Sequence, residues 1–172
     1  MLAQVAVVTV TLSAALVVTA APAQAQYVSV YASDSVLQNI AKSYMRLAIA
    51  GRDANYGEAW EYSADIGYME WRVQDHAPNG HTIQEYRSPG LCLDSNHAGQ
   101  LYGMACNGGD HQRWHFDYLG TQRDAYYGRT WTVYRIVNKA TGRCLDANGE
   151  RGYTLGCNNG DYQRWFMIDI AN

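Results

Sequence analysis

Residues 92–114 and 144–165 are two copies of one segment, CLDSNHAGQLYGMACNGGDHQRW and CLDANGERGYTLGCNNGDYQRW. With one gap after the Asn they align throughout. They share Cys-Leu-Asp, an Asn two residues on, a Tyr, a second Cys followed by Asn, a Gly-Asp pair and Gln-Arg-Trp. A duplicated unit constrains a fold more than local propensity does, because each copy takes the same shape and buries its apolar face against its neighbours. A third, weakened copy precedes these two, DANYGEAWEYSADIGYMEW at 53–71. Aligned at fixed spacing, Asp53, Ala54 and Asn55 match Asp146, Ala147 and Asn148, Trp60 matches Tyr153, and Tyr68 and Trp71 match Tyr162 and Trp165. Both cysteines are missing from it, and Ala64 and Met69 replace the Asn and the Gln. The repeats then run over about 26–71, 72–114 and 115–172, with surplus length in the polar Tyr- and Gly-containing stretch Leu119–Thr130.

Local patterning is mostly β. Trp131–Val137 is a β-branched and aromatic run, Leu101–Met104 and Tyr153–Leu155 are shorter ones, and Asn-Gly and Gly-Asp pairs punctuate them as turns. Val36–Ile49 alone carries apolar residues at helical spacing and is expected to be helical. Three units of about four short strands are too few for a propeller, which needs at least about four blades. Three such units closing on a shared axis give a β-trefoil: an all-β fold of three repeats, the first degenerate.

Met1–Ala25 has no charged residue and ends its apolar run in Ala-Pro-Ala-Gln-Ala, which reads as an export signal cleaved before Gln26, although a basic start is missing. Residues 26–172 are then one domain, secreted to an extracellular setting with no stable membrane anchor. There, four cysteines are expected as disulfides. The near-equal spacings of Cys92 to Cys106 and Cys144 to Cys157 imply two equivalent local loops, each worth about 3 kcal/mol of unfolded-state entropy. Zinc is disfavoured because no Cys-x-x-Cys occurs. His111 and His115 have a helical i, i+4 spacing, but the Gln-Arg-Trp between them suits a strand or turn, so neither metal nor cofactor is expected. With 13 basic against 16 acidic residues and a net charge of −3, the chain lacks the basic surface that nucleic-acid binding needs. Aromatic usage is skewed to 14 Tyr and 5 Trp against 2 Phe, which suits contact surfaces as well as cores.

Two Gln-x-Trp motifs, each preceded by Cys-Leu-Asp and a local cysteine pair, resemble the repeat of ricin B-chain-type lectins. More narrowly, they are similar to the LDSN…VYTLP.NGG.YQ.W units of actinohivin-like lectins. The resemblance implies a β-trefoil that binds glycans or polysaccharide. The narrower pattern implies terminal α-linked mannose, the wider one galactose or xylan. The wider family has an aromatic residue two before the second Cys. Met104 and Leu155 stand there, which favours the narrower pattern.

Sugar recognition asks for a carboxylate accepting hydroxyl protons, an amide that donates and accepts, and an aromatic wall for the C–H face. The second repeat supplies Asp94, Asn107, Tyr102 and His111, and the third Asp146, Asn158, Tyr153 and Tyr162, with Asn148 nearby. Gln112 and Gln163 are placed either against the sugar or beneath it, bonded to backbone. Trp71, Trp114 and Trp165 are expected in the core. His111 in place of Tyr makes the second site a candidate for pH-dependent binding. The first repeat lacks the Asn and is expected to bind weakly or not at all. No nucleophile motif or paired catalytic carboxylates stand out, so no enzyme is expected. A protease-inhibitor or toxin role would have to use Leu119–Thr130.

Overall fold

The computed structural model describes residues 28–30, 32–42, 45–50, 56–63, 70–87 and 89–170. Among them are twelve strands: β1 (Ala32–Asn39), β2 (Met45–Ala50), β3 (Tyr56–Ser63), β4 (Trp71–Asp75), β5 (His81–Glu85), β6 (Leu91–Ser95), β7 (Leu101–Ala105), β8 (Trp114–Arg123), β9 (Thr130–Asn138), β10 (Cys144–Ala147), β11 (Gly152–Leu155) and β12 (Trp165–Asp169). Antiparallel pairing joins β1 to β4, β4 to β5, β5 to β8, β8 to β9, β9 to β12 and β12 back to β1. These six strands close a barrel. The hairpins β2–β3, β6–β7 and β10–β11 cap it. Each unit is therefore two barrel strands around one cap hairpin, the β-trefoil arrangement.

Each Trp that ends a repeat opens a barrel strand belonging to its own unit. The unit boundaries thus fall in the connections 76–80 and 124–129 rather than directly after Trp71 and Trp114. The three Trp are fully buried, and each indole N–H donates across the unit to a leucine carbonyl: Trp71 to Leu47, Trp114 to Leu93 and Trp165 to Leu145, all at 3.0 Å. Leu37, Ile83 and Ile136 form a matching buried layer. Losing one such Trp to Ala would cost about 3–5 kcal/mol.

The helix expected over Val36–Ile49 is not there. Residues 36–39 finish β1, 45–49 lie in β2, and a turn separates them. β1 is buried on both sides, Leu37 in the barrel core and Val36 in an outer cluster with Val133, Phe166 and Ile168. Apolar residues then run consecutively, and the alternation that marks a half-exposed strand disappears. The strands expected at 101–104, 131–137 and 153–155 are present. The surplus stretch is no loose loop. β8 and β9 continue as a paired ribbon to Arg123 and Thr130, past an irregularity at Tyr118/Gly120 where Gly120 takes φ +107°. Trp131 of this ribbon packs on the outer cluster.

Candidate functional site

In each C-terminal unit the cap hairpin sets an Asp beside an aromatic residue. Asp94 is directly opposite Tyr102, and Asp146 directly opposite Tyr153. Opposed residues on antiparallel strands share a face, about 4.5–5.5 Å apart. Met104 and Leu155, two residues further along, share it too, and are 37% and 47% exposed. Two disulfides, Cys92–Cys106 and Cys144–Cys157, clamp the hairpin bases as the spacing implied, with Cα atoms 5.0 Å apart in each. The residue after each second cysteine is Asn107 or Asn158, so each disulfide also fixes where that side chain begins.

The two glutamines hold these Asn turns from below. The Asn107 N–H donates to Gln112 Oε1 at 2.8 Å, and Gln112 Nε2 donates to the Ala105 carbonyl at 3.0 Å. In the third repeat the Asn158 N–H donates to Gln163 Oε1 at 2.7 Å. Gln163 Nε2 donates to Gly156 O at 3.1 Å and to Asp146 Oδ2 at 2.6 Å. Both glutamines are 0% exposed and bonded beneath their Asn turns, the lower of the two placements open in the sequence. Asn107 and Asn158, both exposed, each accept the N–H of the second residue on, Gly109 and Gly160, at 2.7 Å through Oδ1, forming Asx turns in which the amide NH2 takes no part. No residue other than glycine has positive φ among the described ones, so neither Asn serves as a left-handed turn residue.

The two carboxylates differ. Asp146 is 4% exposed. Besides Gln163, it accepts the Ala147 N–H at 2.7 Å. Asp94 is 3% exposed, and its Oδ1 is buried with no hydrogen-bond partner. Neither Asp caps the adjoining turn. Asn96 and Asn148 do so, each accepting two turn N–H groups through Oδ1. Asn148 is thus a turn former first, with only its NH2 left for a ligand. Tyr153 donates to Ala147 O at 3.3 Å, while Tyr162 is exposed. His111 Nδ1 lies 2.6 Å from Ser95 O, so Nδ1–H donates and, in the neutral ring, Nε2 is an acceptor. His97 meets the His111 ring edge-on at 5.2 Å. The sequence reading missed His97, whose one signal is that it adjoins the gap between the copies. Asp110 and Asp161, the other repeated acids, turn instead to Lys139 (2.8 Å) and Arg164 (2.9 Å). The Lys139 bond holds the Asp110 carboxyl below its ordinary range.

The first unit departs from the sequence alignment. The Trp71–Leu47 bond makes Leu47 the counterpart of Leu93 and Leu145, so Ala48, not Asp53, stands where Asp94 and Asp146 stand. Ala48 is opposite Trp60, as those Asp residues are opposite their Tyr, so the match of Trp60 with Tyr153 holds. The β2–β3 hairpin is longer than the other two, and an alignment at fixed spacing slid along it. Asp53 itself, like Ala64, Tyr68, Met69 and Met1–Ala25, lies outside the described residues. Among the described residues no group of three metal-ligating side chains occurs, and no helix is long and apolar enough to cross a membrane.

Comparison with known proteins agrees with this geometry. Residues 110–172 match a family model described as ricin-type β-trefoil lectin domain-like. No curated protein sequence matches. Among solved structures, the designed three-fold symmetric protein ThreeFoil is similar at TM-score 0.64 and 21% identity, covering 80% of this chain and 99% of that one. SeviL, solved bound to asialo-GM1 saccharide, is similar at TM-score 0.58 and 18% identity, covering 80% and 97%. A mosquitocidal holotoxin matches at TM-score 0.66 and 15% identity over 82% of this chain, which spans only 18% of the toxin. The chain is a β-trefoil whose C-terminal part resembles ricin-type lectin domains.

Proposed function

We propose that the chain is a secreted, non-catalytic lectin that binds terminal mannose-type glycans through pockets in its second and third repeats. The observation that carries this reading is the recurrence, in two units, of a buried Asp opposite a Tyr and beside an Asn turn held by a disulfide and a buried Gln. Such a pocket offers acceptors, an amide donor and an aromatic face in fixed positions, which is the chemistry of a sugar ring. One carboxylate per pocket suits binding, whereas glycoside hydrolysis uses two flanking the bond. The aliphatic Met104 and Leu155 favour mannose over galactose or xylan, because they replace the aromatic residue of the wider pattern. The similarity of residues 110–172 to lectin domains and the saccharide bound by SeviL support glycan binding. Two disulfides suit an oxidising, extracellular setting. Each pocket is shallow and individually weak, and two on one rigid body gain by effective concentration on branched glycans.

Titration calorimetry of residues 26–172 with α-1,2-mannobiose tests the assignment. Asp94→Ala and Asp146→Ala should each remove one site, with loss of about 1.5–3 kcal/mol of binding there. A folded double variant that binds as the parent does would refute the pockets.

A further inference from the structure

The β8–β9 ribbon forms one wall of a groove beside the third repeat. The groove holds about 280 Å³ and is lined by Leu119, Arg135, Asn158, Asn159, Gln163 and Arg164. One of these residues, Asn158, also belongs to the third pocket, and Gln163 lies beneath it. Asn158 offers its amide there, and Gln163 reaches Asp146 at 2.6 Å. The groove and the pocket thus share Asn158.

Its chemistry is that of a neutral sugar ring. Leu119, 41% exposed, supplies an apolar surface. Arg135 is held by Asp117 at 2.8 and 3.1 Å. Arg164 is held by Asp161 at 2.9 Å and by Gln122 of the ribbon at 3.2 Å. Each guanidinium keeps N–H donors beyond those its partners take, is fixed in place, and has its charge balanced by one carboxylate. Fixed donors without net charge suit hydroxyl oxygens. The second repeat lacks this arrangement. His76, Thr82 and Arg113 stand at the positions of Leu119, Arg135 and Arg164, and the short connection 76–80 replaces the ribbon. There His76 and Thr82 are joined by a 3.0 Å hydrogen bond.

We propose that this groove is a second saccharide subsite, which takes the next neutral hexose of a glycan whose terminal residue occupies the third pocket. The third repeat then reads a disaccharide where the second reads a single residue. The proposal rests on the pocket assignment above.

The test uses residues 26–172 carrying Asp94→Ala, so that only the third repeat binds, with methyl α-mannoside and α-1,2-mannobiose as probes. Mannobiose should bind about tenfold more tightly than the monosaccharide. Leu119→Ala with Asn159→Ala should bring the two affinities together without changing the monosaccharide's, and Leu119→Trp, which fills the groove, should do the same. Thermal melts confirm that each variant is folded. Monosaccharide binding with a preference for mannobiose that neither variant alters overturns the subsite alone. Failure of both probes to bind the folded parent overturns the mannose reading and the subsite together.

Discussion

Asp94 and Asp146 occupy equivalent places with unequal support, and that inequality predicts opposite effects on stability. A buried carboxylate oxygen without a donor costs folding free energy, which a ligand hydroxyl can recover. Asp94→Asn should therefore leave the melting temperature unchanged or raised while weakening sugar binding at the second repeat. Asp146→Asn should cost about 1–2 kcal/mol of stability, because the bonds from Ala147 and Gln163 lose their charged acceptor. Urea unfolding of the two variants measures the difference, and equal losses would contradict it. The recurrence of Asp, Tyr and Asn was readable in the sequence because the two copies align residue by residue. The division of labour among polar residues was not. Gln112 and Gln163 open the same Gln-Arg-Trp motif and are both 0% exposed, yet only Gln163 bonds the carboxylate. Burial at that level depends on how hairpins meet, which a linear pattern does not encode.

The cap hairpins are ordered by contact with one another. Gly99, in the β6–β7 turn, takes φ +87°, and a Cβ there would lie 2.5 Å from the Thr154 carbonyl of the next hairpin. Its own carbonyl accepts the Thr154 N–H at 2.9 Å, and Ser95 Oγ meets Thr154 Oγ1 at 2.7 Å. Gly99→Ala should therefore destabilise by more than about 1 kcal/mol, through both strain and lost contact between hairpins. A shift of the urea midpoint within error of zero would show that the hairpins tolerate separation. At this scale the sequence was informative where a strand had one exposed face or a turn signature beside it, as for β7, β9 and β11. It misled at β1, whose two buried faces imitate helical spacing, and it left the β8–β9 ribbon as surplus length. The ribbon's order comes from Trp131 on an outer cluster drawn from β1, β9 and β12, a contact between segments distant in sequence.

Three units share one axis, and a histidine buried in one barrel strand, β5, gives the whole fold a pH dependence. His81 is fully buried. Its Nδ1–H donates to Trp114 O at 3.1 Å and its Nε2 accepts the Val30 N–H at 3.0 Å, so the ring is held neutral. Burial pushes its pKa down. The Trp114 bond and Asp75 pull it up, His115 and His76 push it further down, and the net direction is down. Burial and then Arg113 lower His76 as well, against Asp75. In the unfolded chain these rings take protons below about pH 6.5, while the folded state resists them. Stability is therefore full above that value and falls as pH drops through it toward the folded pKa. The melting temperature should decrease between about pH 7.5 and 5.5, and a flat or rising profile would contradict this. Threefold symmetry was legible from the repeats alone, but the register of the first unit was not, since only the Trp71–Leu47 bond identifies Ala48 as the residue in the Asp position. Two of the three units, the second and the third, are expected to bind sugar. An NMR titration of residues 26–172 with α-1,2-mannobiose tests this most directly. Saturable amide shifts are expected, clustered at Asp94, Asn107 and Gly109 and at Asp146, Asn158 and Gly160, with Ala48 and its neighbours unmoved. Shifts confined to the first unit, or none at saturating sugar, would contradict it.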